Sequence, residues 1–251
     1  MEKFIKQLVR DAGGILRDNF GKVGVLRTKS NVLDVVTVAD ELADKLITER
    51  IKKKFPSHAI ISEESGTHNN NPKKWIIDPL DGTSNFSKGI PLFVTQLAYT
   101  ENNKVKIAAI YDPIHDNLFY AEKGKGAYLN NKRIKISSKV DFEYSQGCVD
   151  LGLNFETIKI YDKIQKNIHH KYFWVRNLGA AGIHAGIVAN GNLDWAILVG
   201  CFVWDYAPLA LLVEEAGGLV RTVSGKKWTL KDKDIIAGNR VLVKKLIKIL
   251  K

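Results

Sequence analysis

The stretch Trp75-Ile76-Ile77-Asp78-Pro79-Leu80-Asp81-Gly82-Thr83-Ser84-Asn85-Phe86 places two carboxylates three positions apart where an apolar run ends. The run reads as a buried strand, Asp81-Gly82 as a turn, and the small hydroxyl residues as a helix start. Two acids on a rigid turn can hold hard cations, and backbone N–H groups beside them can receive an anion. Together they describe a metal-assisted phosphate site. An ordinary strand-to-turn junction accounts equally well for the turn taken alone, because Asp-Gly is common there.

Further acids occur in places that suit the same chemistry. Glu63-Glu64 follow the apolar Ile60-Ile61, so one carboxylate can project from the end of that strand. Asp205 follows Trp204 at a helix start, where an N-cap role explains it without any chemistry. Asp40 closes a Thr37-x-x-Asp40 pattern that also serves as a capping box. Each position has an ordinary structural explanation; their joint occurrence is what points to a site.

The elements that must position these acids are those of a mixed α and β chain. Phe4, Ile5, Leu8, Val9, Ala12, Ile15 and Leu16 make a helical apolar face, and Leu42, Leu46, Ile47 and Ile51 make a second over 38–55. Residues 92–136 read as an antiparallel meander, punctuated by Glu101-Asn102-Asn103, Asp112-Pro113, Gly124-Lys125-Gly126 and Asn130-Asn131. After Cys148 the pattern alternates. Helices are expected near 155–168, 180–189, 206–216 and 240–250, and strands near 173–175, 193–199, 219–223 and 234–237. The pattern predicts sheets covered by helix pairs, in one domain over 1–251 with subdomains 1–145 and 146–251.

Composition bounds the function. A chain of 251 residues with 45% hydrophobic and 26% charged residues is an ordinary globular composition. Cys148 and Cys201 show neither metal-ligand spacing nor a disulfide framework, which fits a reducing cytoplasm. The apolar stretch Leu193–Val213 contains Asp194, Asp205 and Pro208, which argues against a membrane span. The net charge of +11 is spread along the chain with no basic block interleaved with aromatics, so a solvated lysine-rich surface is favoured over nucleic-acid binding.

Four ordered segments carry a resemblance: Asp34-Val35-Val36-Thr37-Val38-Ala39-Asp40, Ile61-Ser62-Glu63-Glu64-Ser65, Asp78 to Phe86, and Trp204-Asp205-Tyr206-Ala207. With Gly124-Lys125-Gly126-Ala127 and Glu214-Glu215-Ala216-Gly217-Gly218 they extend it over nearly the whole chain. The sequence resembles the inositol monophosphatase family of Mg²⁺-dependent, lithium-sensitive phosphatases. The resemblance implies a layered αβαβα sandwich of the inositol monophosphatase and fructose-1,6-bisphosphatase type, and a homodimer. It implies two to three Mg²⁺ ions: Asp78 bridging two of them, Glu63 and the Leu80 carbonyl completing one site, Asp81 and Asp205 holding the second, and a weaker ion near Glu63. Glu64 takes the part of a supporting neighbour. Thr83 and Asp40, with Glu63, match the group that activates the attacking water. Gly82, Thr83 and Ser84 match the phosphate-binding turn, and Gly179 and Ala181 the substrate-side loop.

The chemistry suits these residue types. Hydrolysis of a phosphate monoester is eased where metals neutralise charge and acidify water, and oxygen-only ligands favour Mg²⁺ over zinc.

One departure bears on the substrate. Family members specific for inositol carry an acid seven positions before the Trp-Asp aspartate, and here that position is Leu198. Leucine cannot accept a hydroxyl hydrogen bond, and Asp194 is a distant substitute. Inositol monophosphate leads as substrate; histidinol phosphate and fructose-1,6-bisphosphate are the alternatives within the superfamily. A non-catalytic RNA- or protein-binding regulator is the alternative from a different class.

Overall fold

The computed structural model describes residues 1–22, 25–28, 35–151, 158–160, 162–163, 166 and 174–251. The helix expected over 155–168 lies largely outside the described residues, as do Phe173 and Asp34 at the start of the first family-like segment. The first two helices are α1 (Glu2–Asn19) and α2 (Val38–Lys54). Ile5, Leu8, Val9, Ala12 and Leu16 of α1 are fully buried, at the helical spacing expected of them. In α2 the buried stripe runs Ala39, Ala43, Ile47, Ile51. Leu42, expected inward, is 44% exposed, because the stripe follows i, i+4 steps from Ala39 and leaves Leu42 to one side.

Between and after these helices the strands are β1 (Val25–Thr28), β2 (Val35–Thr37), β3 (Ala59–Ser62), β4 (Gly66–His68) and β5 (Lys73–Asp81). They are followed by β6 (Val94–Glu101), β7 (Lys104–Asp112), β8 (Asn117–Glu122), β9 (Gly126–Leu129) and β10 (Lys132–Arg133). Strands β10-β9-β8-β7-β6-β5-β3-β4 form an eight-stranded sheet, antiparallel except for the parallel β3–β5 pair. The meander turns sit where the asparagines predicted them. Asn102 and Asn103 have φ of 50° and 57°, and Asn130 and Asn131 have 47° and 66°, the left-handed conformation that tight hairpins need.

The second sheet orders β12 (Trp174–Arg176), β11 (Gln146–Leu151), β13 (Trp195–Val199), β15 (Asp234–Gly238) and β14 (Leu219–Arg221). β11 pairs in parallel with β12 and β13, and β15 runs antiparallel to both its neighbours. Helices α4 (Ala181–Ala189) and α5 (Val203–Glu215) lie between the sheets, and α6 (Arg240–Leu250) covers the outer face of the second. The layers are therefore α1/α2, eight strands, α4/α5, five strands, α6: the αβαβα sandwich.

One apolar cluster joins Val94, Ile110 and Phe119 of the first sheet to Ala185 and Leu209 of the middle helices and Leu198 of the second sheet, so residues on both sides of position 145 share it. The long apolar stretch Leu193–Val213 resolves into β13 and α5. Among the described residues no helix is long and apolar enough to cross a membrane.

Candidate active site

The two acids of the opening motif share a face only because β5 is irregular. Side chains three positions apart on a regular strand point to opposite faces. Asp78 is paired with Gln96 but Asp81 with Val94, three steps on β5 against two on β6. This bulge, at a strand position occupied by Pro79, turns Asp81 back to the face of Asp78. That face looks onto α4 and α5.

Asp205 arrives from the other side. It is the third residue of α5 and not its N-cap: its Oδ2 accepts the N–H of Phe202, the true cap, at 2.7 Å. Carboxylate oxygens of Asp78, Asp81 and Asp205 all lie within 4.8 Å of one another, and all three residues are buried.

Neighbouring groups hold each carboxylate. Asp78 accepts the Leu80 N–H at 3.1 Å and the Gln96 side-chain amide at 3.2 Å. Asp81 accepts the first N–H groups of α4, Ala181 at 3.1 Å and Gly182 at 2.5 Å. A Cβ on Gly182 would stand 2.9 Å from Gln96 Oε1, so glycine lets the helix end approach the acid this closely. Ala181, matched to the substrate-side loop, thus gives its backbone N–H to Asp81.

The electrostatics are those of like charges out of water. Burial raises the Asp78 carboxyl well above its usual range, with Glu63, Asp81 and Asp205 adding to the rise. Burial likewise raises Asp205, helped by Asp81 and Glu63, and lifts Asp81 to about 7 despite its two backbone N–H donors. Three such groups cannot all ionise side by side without a compensating cation. An all-oxygen, buried, mutually close set fits a hard divalent ion.

Beside this cluster stand Asp40 and Thr83. Thr83 opens α3 (Thr83–Ser87), and its Oγ1 lies 3.2 Å from Asp40 Oδ1 and 2.8 Å from the Leu80 carbonyl. Asp40 Oδ2 accepts both the backbone N–H and the hydroxyl of Thr37, at 2.7 and 2.6 Å. The capping box and the site are thus one structure, each using one oxygen of the same carboxylate. Burial raises the Asp40 carboxyl to about 7, against the lowering by Thr37, with Glu64 and Glu63 adding to the rise.

The remaining predicted residues sit around this centre. Glu63 follows β3, with its N–H bonded to the Ile77 carbonyl at 3.1 Å, and its charge reaches Asp40, Asp78, Asp81 and Asp205. Gly82 has φ of 89°, and a Cβ there would meet the Leu92 carbonyl at 2.8 Å. Ser84 is exposed in the first turn of α3, with its carbonyl bonded to Ser87. Gly179, at φ 68°, rests against the side chain of Asn85, which bridges the Leu92 and Leu178 carbonyls.

Leu198, the position of the expected acid, is fully buried in the apolar cluster. Asp194, weighed as a substitute, spends its Oδ2 on the Gln146 N–H at 2.7 Å, at the other end of the strand. Gln96 and Asp150 escaped the sequence reading. A glutamine and an aspartate inside otherwise apolar strands were the available signals.

Comparison with known proteins agrees with this geometry. The model of the inositol monophosphatase family matches residues 1–251. The chain belongs to the inositol monophosphatase family. Among its relatives in that family, the fructose-1,6-bisphosphatase/inositol-1-monophosphatase of Thermotoga maritima is 34% identical over 246 residues, covering 98% of this chain and 94% of the relative. The Nus factor SuhB of Salmonella typhimurium is 34% identical over 245 residues, covering 95% and 91%. The crystal structure of the extragenic suppressor protein SuhB from Bartonella henselae superposes with a TM-score of 0.93 at 31% identity, over 100% of this chain and 98% of that one. Membership in the inositol monophosphatase family supports a phosphatase.

Proposed function

We propose that the chain is a Mg²⁺-dependent phosphomonoesterase that hydrolyses a small phosphate monoester, inositol monophosphate being the leading candidate. The observation that carries this reading is the buried Asp78–Asp81–Asp205 cluster set beside the Asp40–Thr83 pair. Asp78, Glu63 and the Leu80 carbonyl would hold one cation, and Asp78, Asp81 and Asp205 a second. The Leu80 carbonyl has two lone pairs, so accepting from Thr83 leaves one for a cation. Bound Mg²⁺ would neutralise the phosphate and acidify the attacking water.

The protein's own groups do the rest. Thr83 Oγ1 orients the water, and Asp40, with Glu63 beside it, takes up its proton. Burial raises the Asp40 carboxyl, which favours its taking up that proton. The N–H groups of Gly82 and Thr83, with Ser84, face the phosphate, and Gly179 and Ala181 border the leaving group. No side chain need be phosphorylated.

We read residues 1–251 as one domain, supported by the shared apolar cluster, in a cytoplasmic homodimer. The exposed Tyr144 and Trp174 near the edge strand β12, 59% and 68% accessible, support a self-association surface.

A non-catalytic RNA- or protein-binding role is the second reading. It draws on the +11 charge and on the name Nus factor borne by a relative. The test is phosphate release, with and without Mg²⁺, from inositol 1-phosphate, histidinol phosphate, fructose-1,6-bisphosphate and adenosine 3′,5′-bisphosphate, beside salt-sensitive RNA retention. Mg²⁺-dependent release from one or more esters supports the phosphatase. Retention of RNA with no release from any ester would overturn it.

A further inference from the structure

Asp150 stands one residue before the end of β11, in a position the metal chemistry does not use. It is the register partner of Leu198 across the parallel β11–β13 pair, so both side chains leave the same face of the sheet. Leu198 is wholly buried there, whereas the Asp150 side chain keeps 19% of its surface open. His184 of α4, two residues after Gly182, whose N–H Asp81 accepts, lies 3.6 Å from Asp150 Oδ2, which places Asp150 on the side of the acidic cluster. The crevice beyond the C-terminal ends of parallel strands is also where open α/β sheets receive ligands.

The second observation is His184, in the middle of α4. Its ring is fully buried, and Nε2 accepts the Leu178 N–H at 3.0 Å. Burial lowers its pKa to about 4, so the imidazole is neutral and its one proton sits on Nδ1. That Nδ1 has no hydrogen-bond partner among the described residues, yet it faces Asp150 Oδ2 from 3.6 Å. A buried donor left without an acceptor is costly, and here it is aimed at Asp150. Closing that gap would hold the Asp150 carboxylate in one orientation.

We propose that Asp150 is a specificity-determining residue that accepts hydrogen bonds from hydroxyl groups of the leaving alcohol, with His184 as its positioning residue. The acidic contact that Leu198 cannot supply from β13 then comes from the neighbouring strand. This rests on the phosphomonoesterase reading above, and it selects polyhydroxylated leaving groups over bare ones. A hydroxyl docked on a charged acceptor discriminates strongly against an analogue lacking it, because the acceptor is then left unpaired.

The test compares myo-inositol 1-phosphate with cyclohexyl phosphate, the same ring without its hydroxyls, at saturating Mg²⁺. Wild-type enzyme is expected to prefer the inositol ester in kcat/KM. Asp150→Asn should reduce that preference by about 10- to 100-fold, mainly through KM, with the Mg²⁺ dependence unmoved. His184→Gln should reduce it in the same direction by less. A preference within two-fold of wild type in Asp150→Asn, or an equal loss on both esters, would overturn the inference. So would a wild-type enzyme that hydrolyses both esters without preference, while leaving the phosphatase reading intact. Release from neither ester overturns both.

Discussion

Thr83 Oγ1 lies 3.2 Å from Asp40 Oδ1, although 43 positions separate the two in the chain. The contact joins the first turn of α2 to the first turn of α3, and the Leu80 carbonyl shares the same hydroxyl at 2.8 Å. One hydroxyl proton cannot serve two acceptors at once. Ionised Asp40 competes with Leu80 for it, whereas protonated Asp40 can donate to Thr83 instead. In the proposed hydrolysis the pair would serve as a short proton path, ending on a carboxyl that burial raises to about 7.

Removing that hydroxyl separates turnover from metal binding. Thr83→Ala should lower kcat by about 10²- to 10⁴-fold while the Mg²⁺ concentration for half-maximal activity stays within a few-fold of wild type. Steady-state kinetics over a Mg²⁺ titration measure both. Weakened Mg²⁺ binding with normal turnover at high Mg²⁺ would reassign Thr83 to the metal site.

The raised carboxyls make stability depend on pH and metal together. Asp40 and Asp81 hold their protons up to about 7 in the folded protein, against 3.8 when free in water. Their contribution is fully present below the unfolded value and is lost as pH rises through the folded one. Metal-free protein should therefore melt lower at about pH 8 than at about pH 5. Mg²⁺ binds the ionised carboxylates, so its stabilisation should be larger at the higher pH. Thermal melts in EDTA and in Mg²⁺ at the two pH values check this. Equal melting shifts by Mg²⁺ at both would contradict the account.

Leu198→Glu tests the burial of the substituted position. Leu198 is packed between β11 and β15 with no solvent access, so a glutamate there carries an uncompensated charge into the core. The expected result is a melting temperature lower by about 10 °C or more, without a gain on inositol monophosphate. A stable variant with improved inositol selectivity would show that position 198 reaches the substrate after all.

Much of this site was legible in the residues. Asp78, Asp81 and Asp205 were named from turn and helix-start patterns, and the structure brings them together. The Thr37–Asp40 capping box formed as its spacing predicted. What the spacing did not show was the bulge that turns Asp78 and Asp81 to one face, although Pro79 inside the strand marked it. Asp205 lies at the third position of its helix and not the cap; from there its carboxylate reaches back to accept the N–H of Phe202, the cap residue. Asp150 was missed for a different reason. Its importance depends on strand order, which places β11 beside β13, and no local pattern encodes that neighbour.

Whether buried carboxylates hold the Mg²⁺ on which phosphate release depends is read by assaying wild type and Asp78→Asn side by side. Phosphate release from inositol 1-phosphate is followed across a Mg²⁺ titration. An amide supplies neither the charge nor a second anionic oxygen, and it relieves repulsion among the buried acids. Asp78→Asn should be less active by at least about 10³-fold at every Mg²⁺ concentration, with a metal-free melting temperature no lower than that of wild type. Activity within a few-fold of wild type at saturating Mg²⁺ would contradict it.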